Sequence, residues 1–441
     1  MQLPEIFLSL RQMSLCNIAL QVFNDPDVRL FSSTHNIHCC IWSSEEIESL
    51  LGKEPSTMLN DAEVAKILSK RIKPNLSHKY KYLFTGNGKD FSLTSKQLEI
   101  LVDQKLSTLS LPNMFRNEVM TFVRFVIVES YKWSQDHEEL MVFTTDLTNS
   151  FQWTQDNKID RQKTAKAIIA DDNINLIDRF IMASHYCIQE DVLSIWGMLH
   201  HSQKNYIDVG TDIVRMWAKW ARYGGEIDWD QIDEVPFTMF GFQPCFPKVK
   251  QEKRLQYLKD HYRVIWSNYH ELKLFLSVLD QNDRNEILKK FPLQILEMFL
   301  DWSLQTKLLD VVELLWPYLS EYDVRDFLFL ILSRKRMLNW IGSDYVTFVA
   351  KLQERFSYGY EVFKEMYPPL FNTLKLVHEN DGPRPSPHEV CLQSNDNILI
   401  AFHSGNNVFV LSKSKGDFTE FLNSLCAVVY KYKKKDCMCF I

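Results

Sequence analysis

His35-x-x-His38-Cys39-Cys40 gathers four zinc-capable side chains within six residues. Zinc takes imidazole nitrogen and thiolate sulfur at spacings that let four donors converge. Adjacent cysteines fit one ion poorly, and no second ligand pair follows at a finger-like distance. The same stretch, IHCCIW, reads as a buried segment ahead of a helix start at Ser43, so no metal is assigned to His35, His38, Cys39 and Cys40. His185-Tyr186-Cys187 and His200-His201 raise the chemistry of a Cys–His pair, in which an imidazole takes the proton of a thiol nucleophile. That pair needs contact in space, and histidines at helix ends act more simply as polar caps.

Thr85-Gly86-Asn87-Gly88-Lys89 has the glycines and lysine of a phosphate loop, but Asp90 stands where a hydroxyl should follow the lysine. Asn-Gly between KYKYLF and DFSLT predicts a tight turn instead. The sequence contains no G-x-S-x-G, H-E-x-x-H or EF-hand loop. No catalytic residue, cofactor site or metal ligand is therefore assigned.

Binding chemistry has better candidates. Val235 to Pro247 combines three prolines with Phe237, Phe240, Phe242 and Phe246, which resist helix formation. This segment reads as a packed connector between helix blocks; where its rings are exposed, they are the candidate partner-binding side chains. Lys79-Tyr80-Lys81-Tyr82 and Tyr430-Lys431-Tyr432-Lys433 have the basic-aromatic interleaving that holds single strands of nucleic acid. A net charge of −6 opposes that reading. The tail YKYKKKDCMCFI places Met438 where a prenyl acceptor would stand, so Cys437 and Cys439 are candidates only for acylation, with the lysines supporting weak contact with a membrane surface.

The elements that must position these residues are mostly helical. Glycine is scarce, 13 in 441 residues, whereas sheet-rich folds consume it at turns. Nine cysteines without a C-x-x-C suit reduced, buried thiols and a cytoplasmic setting. The N-terminal MQLPEIFLSLRQMSLCNIALQVF reads as an amphipathic helix, not a signal peptide, and no apolar stretch is long enough to span a bilayer. Ser43-x-x-Glu46, Asn60-x-x-Glu63 and Thr94-x-x-Gln97 each predict a helix start, since a capping oxygen precedes by three residues a side chain that reaches back. Leu304, Leu308, Val311, Val312, Leu315, Trp316 and Leu319 recur at steps of three and four, which predicts one helix with a continuous apolar stripe. The following DVRDFLFLILSRKR is apolar all round and should be buried on most sides.

Val192-x-x-Ile195-Trp196-Gly197-Met198-Leu199 aligns with Val312-x-x-Leu315-Trp316-Pro317-Tyr318-Leu319, each after an aromatic-rich apolar segment. Helix pairs that cannot bury their faces alone must stack. With Ala183 and Cys187 before the first copy, and Ser303, Lys307 and Val311 before the second, the pattern resembles degenerate ankyrin repeats. T-P-L-H is absent and Cys187 and Lys307 replace the turn glycine, so the resemblance implies helix-pair stacking without the hairpin fingers. Lys290 to Trp302, KFPLQILEMFLDW, also resembles segments of uncharacterised arachnid (spider) proteins, which imply no activity.

After HENDGPRPSPHE the period changes: EVCLQ, NILIAF and VFVLS alternate with turn residues, and Asp417-x-x-Glu420 opens a helix. The expected fold is mainly α, a helix-pair, solenoid-like array with a small C-terminal α+β module of β-meander plus helix. Its expected divisions are an N-terminal helical region over 1–150, helical repeats over 151–377, a linker over 378–388 and the module over 389–441. The expected function is a non-enzymatic, intracellular protein–protein interaction scaffold. An enzyme with an unrecognised site is the second reading and a nucleic-acid-associated factor the third.

Overall fold

A computed structural model describes residues 8–35, 83–109, 111–137, 147–208, 210–225, 246–265 and 269–320. It also describes short pieces at 4, 40, 43–45, 48, 58–59, 227, 323–324, 327, 354, 391–394, 398–403 and 407–412. These residues are mainly helical. The chain opens with α1 (Leu10–Phe23) and α2 (Pro26–Thr34). Ser9 and Gln12 cap α1 reciprocally: the Ser9 amide donates to Gln12 Oε1 at 2.9 Å and the Gln12 amide to Ser9 Oγ at 3.2 Å. Asp25 caps α2 by accepting from the Asp27 amide, and Pro26 at its first position already has the helical φ.

Long helices α3 (Gly88–Ser107) and α4 (Asn113–His137) follow, then α5 (Arg161–Ala170), α6 (Leu176–His185), α7 (Gln189–Met198), α8 (His201–Ile207) and α9 (Asp212–Tyr223). The remaining described helices are α10 (Gln251–Ile265), α11 (Tyr269–Val278), α12 (Gln281–Lys290), α13 (Pro292–Met298) and α14 (Leu308–Leu315). Among the described residues, no helix is long and apolar enough to cross a membrane.

One compact unit comprises Met1–Cys16 and Val128–Phe291. Within it α6 packs against α5, α7 and α9, and α9 also meets α7 and α8. Asp160 and Asn175 cap α5 and α6 by accepting from the Lys163 and Ile177 amides. Phe180, Val192, Ile195, Ile213 and Trp217 fill the space between the helices. Burying one such aromatic stabilises the fold by about 2–3 kcal/mol.

The link from α6 to α7 is a Schellman turn. The Ile188 amide donates to the Ala183 carbonyl and the Cys187 amide to that of Ser184, with Cys187 at φ 53°. Between α8 and α9, a Cβ on Gly210 would lie 3.0 Å from the Ile207 carbonyl oxygen and 3.2 Å from Val214 Cγ1, so backbone crowding calls for glycine there.

The second unit comprises Asn17–Ile127 and Pro292–Ile441. Here α2 packs on α3, and α13 on α14. Buried Arg124 of α4 donates to the Cys40 carbonyl at 2.9 Å and to Glu99 Oε1 at 2.7 Å. Glu99 also accepts from the Ser44 amide at 2.9 Å and the Ser44 hydroxyl at 2.6 Å. The helix start at 44 is thus capped from α3, not by a local box alone. Strand-paired backbone forms β1 (Met58–Leu59), β2 (Leu83–Asn87), β3 (Cys391–Ser394), β4 (Ile398–His403) and β5 (Asn407–Ser412), in the order β1-β3-β4-β5-β2. β3, β4 and β5 pair antiparallel, whereas β1 on β3 and β2 on β5 are parallel. The helix expected after Asp417 and the linker over 378–388 lie outside the described residues.

Three local expectations change. The chain runs from β2 directly into α3 at Gly88, so Asn87-Gly88 is a strand-to-helix junction and not a reversing turn. Thr94 lies inside α3 and does not start it. Ser92 and Ser95 are buried, with the Ser92 hydroxyl donating to Glu48 Oε1 at 2.9 Å, so tertiary contacts extend the helix past the local signal. The stripe from Leu304 to Leu319 is divided into a 3₁₀ turn at Gln305–Lys307, α14, and a second 3₁₀ turn at Trp316–Tyr318. Pro317 has no amide hydrogen to continue the helix.

Candidate functional site

The first cluster in the unit of 128–291 centres on the buried rings of Trp133, His137 and Tyr186. Trp133 and His137 stand one turn apart on α4 and stack with ring centroids 4.0 Å apart. His137 Nδ1 lies 2.6 Å from the Trp133 carbonyl oxygen, which only accepts, so Nδ1 carries the hydrogen. Nε2 of the neutral ring then accepts from the Tyr186 hydroxyl at 2.9 Å. Burial holds that hydroxyl protonated, with Glu271 and Asp136 adding to the effect against the pull of Arg161.

Arg161, at the start of α5, pairs with Asp136. Burial opposes the guanidinium charge, but Asp136 and Glu271 outweigh it and raise its pKa. His137 and Tyr186 are both wholly buried, so neither offers a reactive atom to solvent. The cluster ties the end of α4 to α5, α6 and α11.

A second cluster holds the hairpin between Trp153 and Ile159. The Asn157 amide donates to the Thr154 carbonyl, Asn157 has φ 55°, and the Thr154 amide donates to the Lys158 carbonyl, the pattern of a type I turn with a bulge. Buried Asp156 accepts from the Thr154 hydroxyl at 2.5 Å and lies 3.6 Å from His270 Nε2 of α11. Burial disfavours its charge, but the bonds from His270 and Thr154 prevail and lower its pKa to about 2. Burial, with the Asp156 charge nearby, pushes the Cys16 thiol up to about 12, so this thiol is held protonated and unreactive.

The third cluster is at the surface, on α7, α8 and α9. Lys204 Nζ lies 5.0 Å from the centroid of the Trp196 ring, and the Arg222 guanidinium lies 5.4 Å from Trp196 and 5.7 Å from Tyr223. Arg222 also pairs with Asp208 at 2.7 Å. Trp196 is 8% exposed, while Leu193, three residues before it on α7, is 47% exposed and Tyr223 is 73% exposed. Arg215, Lys219 and Arg222 follow at steps of four and three along α9, all on its exposed side. Asp212 pairs with Arg215, but neither Lys204 nor Lys219 has a carboxylate partner among the described residues. This face therefore carries aromatic edges, a basic row and exposed apolar side chains.

Of the side chains singled out in the sequence, Phe246 is 1% exposed and packs edge-on against Phe275 at 4.9 Å, so it belongs to the core. Phe237, Phe240 and Phe242 lie outside the described residues, as do His38, Cys39, Cys437, Cys439 and both Lys-Tyr strings. His35 ends α2, stacked on Phe31 at 4.0 Å, and the Cys40 carbonyl serves Arg124. His185 is buried with Nε2 3.5 Å from the Thr211 hydroxyl, and Cys187 lies in the turn after α6. His200 stands at the N-cap position of α8, where its amide donates to Gln203 Oε1 at 2.9 Å. No group of three or more His, Cys, Asp or Glu is placed to hold a metal among the described residues.

Sequence reasoning missed His137, Arg161, Asp156 and Glu271, and named Tyr186 only as part of the His185–Cys187 stretch. Available signals were the Trp133-x-x-x-His137 spacing, which puts two rings on one helix face, and the Asp-Asn turn dipeptide at 156–157. The chain matches no family model, no curated protein and no solved structure.

Proposed function

We propose that this chain is a protein-interaction scaffold of stacked helix pairs in a solenoid-like array, closed at its C-terminal end by a small strand-and-helix module. The observation that carries the reading is the exposed surface on α7, α8 and α9, where Leu193 and Tyr223 stand beside cations stacked on Trp196. Surfaces of this kind, aromatic and arginine-rich with apolar neighbours, are where binding energy concentrates. The helix-pair reading is supported by the V-x-x-[IL]-W pattern, whose first copy lies on the second helix of the packed pair α6–α7 and whose second copy has Val312 and Leu315 on the second helix of the pair α13–α14, with Trp316 in the turn after it. Cys187 adds support for the first pair alone, since it takes the left-handed conformation at the position where ankyrin repeats carry glycine, whereas Lys307 in the second pair has φ −100°.

The experiment uses the full chain as bait in a nuclease-treated extract of the cells that make it, beside a Leu193→Ser/Tyr223→Ser variant. Both residues are exposed, so the variant should keep its thermal transition. The reading expects a defined set of proteins on the wild type and their loss from the variant. Equal recovery on both, or none on either, contradicts it.

A further inference from the structure

We infer that the outward side of α9, with Lys204 and the rim of Trp196, docks an acidic segment of a partner protein that also carries an apolar side chain. This rests on the binding reading above and assigns the partner's chemistry. The chain as a whole is acidic, at −6, yet this face reverses the sign. Among the described residues, the carboxylates paired with this basic row are Asp212 on Arg215 and Asp208 on Arg222, and neither Lys204 nor Lys219 has one. A cation held over an indole ring is already oriented, so less side-chain freedom is lost when a carboxylate arrives. Leu193 and Tyr223 supply apolar contact beside those charges.

A nucleic-acid strand fits less well. It needs open aromatic faces for successive bases and an uninterrupted run of positive charge. Trp196 is 8% exposed, with Lys204 and Arg222 over its ring, and Asp208 and Asp212 interrupt the basic row. An acidic peptide can pair with the unmatched cations between those acids.

To test this, immobilised full-length chain selects from a displayed library of random dodecapeptides. The selected peptides, and a uridine oligomer as the nucleic-acid probe, are then titrated against wild type, Lys204→Glu and Lys219→Glu. Lys219 is exposed, so Lys219→Glu should unfold like wild type, whereas Lys204→Glu gives up a ring contact and should unfold slightly earlier but with the same cooperative transition. The expected result is enrichment of Asp and Glu beside Leu or aromatic residues. Each reversal should weaken binding about tenfold or more, with recovery on Lys204→Glu when the peptide's acids become lysines. Peptides without acidic enrichment, or acidic peptides indifferent to both reversals, overturn the assignment while leaving the binding reading in place. Binding of the uridine oligomer alone overturns it in favour of nucleic acid. If no peptide is selected and the bait retains no protein, both readings fall.

Discussion

At the residue scale, the buried polar groups His137, Tyr186 and Asp156 in the unit of 128–291 have hydrogen-bonding partners within it. His137 takes one hydrogen bond from Tyr186 and gives one to Trp133, which uses both ring nitrogens of the neutral imidazole. Asp156 is the group whose behaviour is most measurable. Its folded pKa of about 2 is below the ordinary value of 3.8, so the ionised form stabilises the fold above pH ~4, and that contribution is lost as pH falls through about 2. The shift corresponds to about 2 kcal/mol. Thermal unfolding of wild type and Asp156→Asn should therefore differ by that order at neutral pH and converge as pH falls from about 4 towards 2. A difference independent of pH would show that Asp156 acts through shape alone. These partnerships were not legible in the sequence, because His137 and Tyr186 are 49 residues apart and no local period links them.

At the element scale, local signals were legible where the chain decides its own conformation. The apolar spacing around Val312 and Leu315 marks α14, although Pro317 and the turn before Leu308 shorten it. Thr94 misled because burial of Ser92 and Ser95 extends α3 beyond any local cap. At Ser44 the decisive partner is Glu99, 55 residues away, which a local capping rule does not register. Cys187 is the informative element boundary. A non-glycine residue in the left-handed region costs roughly 1–2 kcal/mol, so Cys187→Gly relieves strain while giving up a small buried side chain. It should leave stability within about 1 kcal/mol of wild type, whereas Cys187→Val, β-branched at φ 53°, should lose more than about 2 kcal/mol. Denaturant midpoints measure both. Equal losses in the two variants would mean that the α6–α7 turn does not need a glycine-type conformation.

At the scale of the whole molecule, composition indicated a mainly helical chain, and the described residues are mainly helical. The candidate surface was not legible, since it draws Trp196, Lys204 and Arg222 from three helices. From the sequence, 235–247 reads as a packed connector whose phenylalanines would bind a partner only where exposed, and Phe246 is core, with Phe275 and Tyr257 packed on it. Its apolarity was readable, but which neighbours cover it was not, because Phe275 is supplied by a helix further along the chain. The central claim is that the chain meets a partner protein through α7, α8 and α9. Hydrogen–deuterium exchange of the full chain, free and saturated with a selected acidic peptide, tests it most directly. The account predicts slower exchange over residues 189–223 and unchanged exchange in α3. Protection confined to other helices, with 189–223 unaltered, would contradict it.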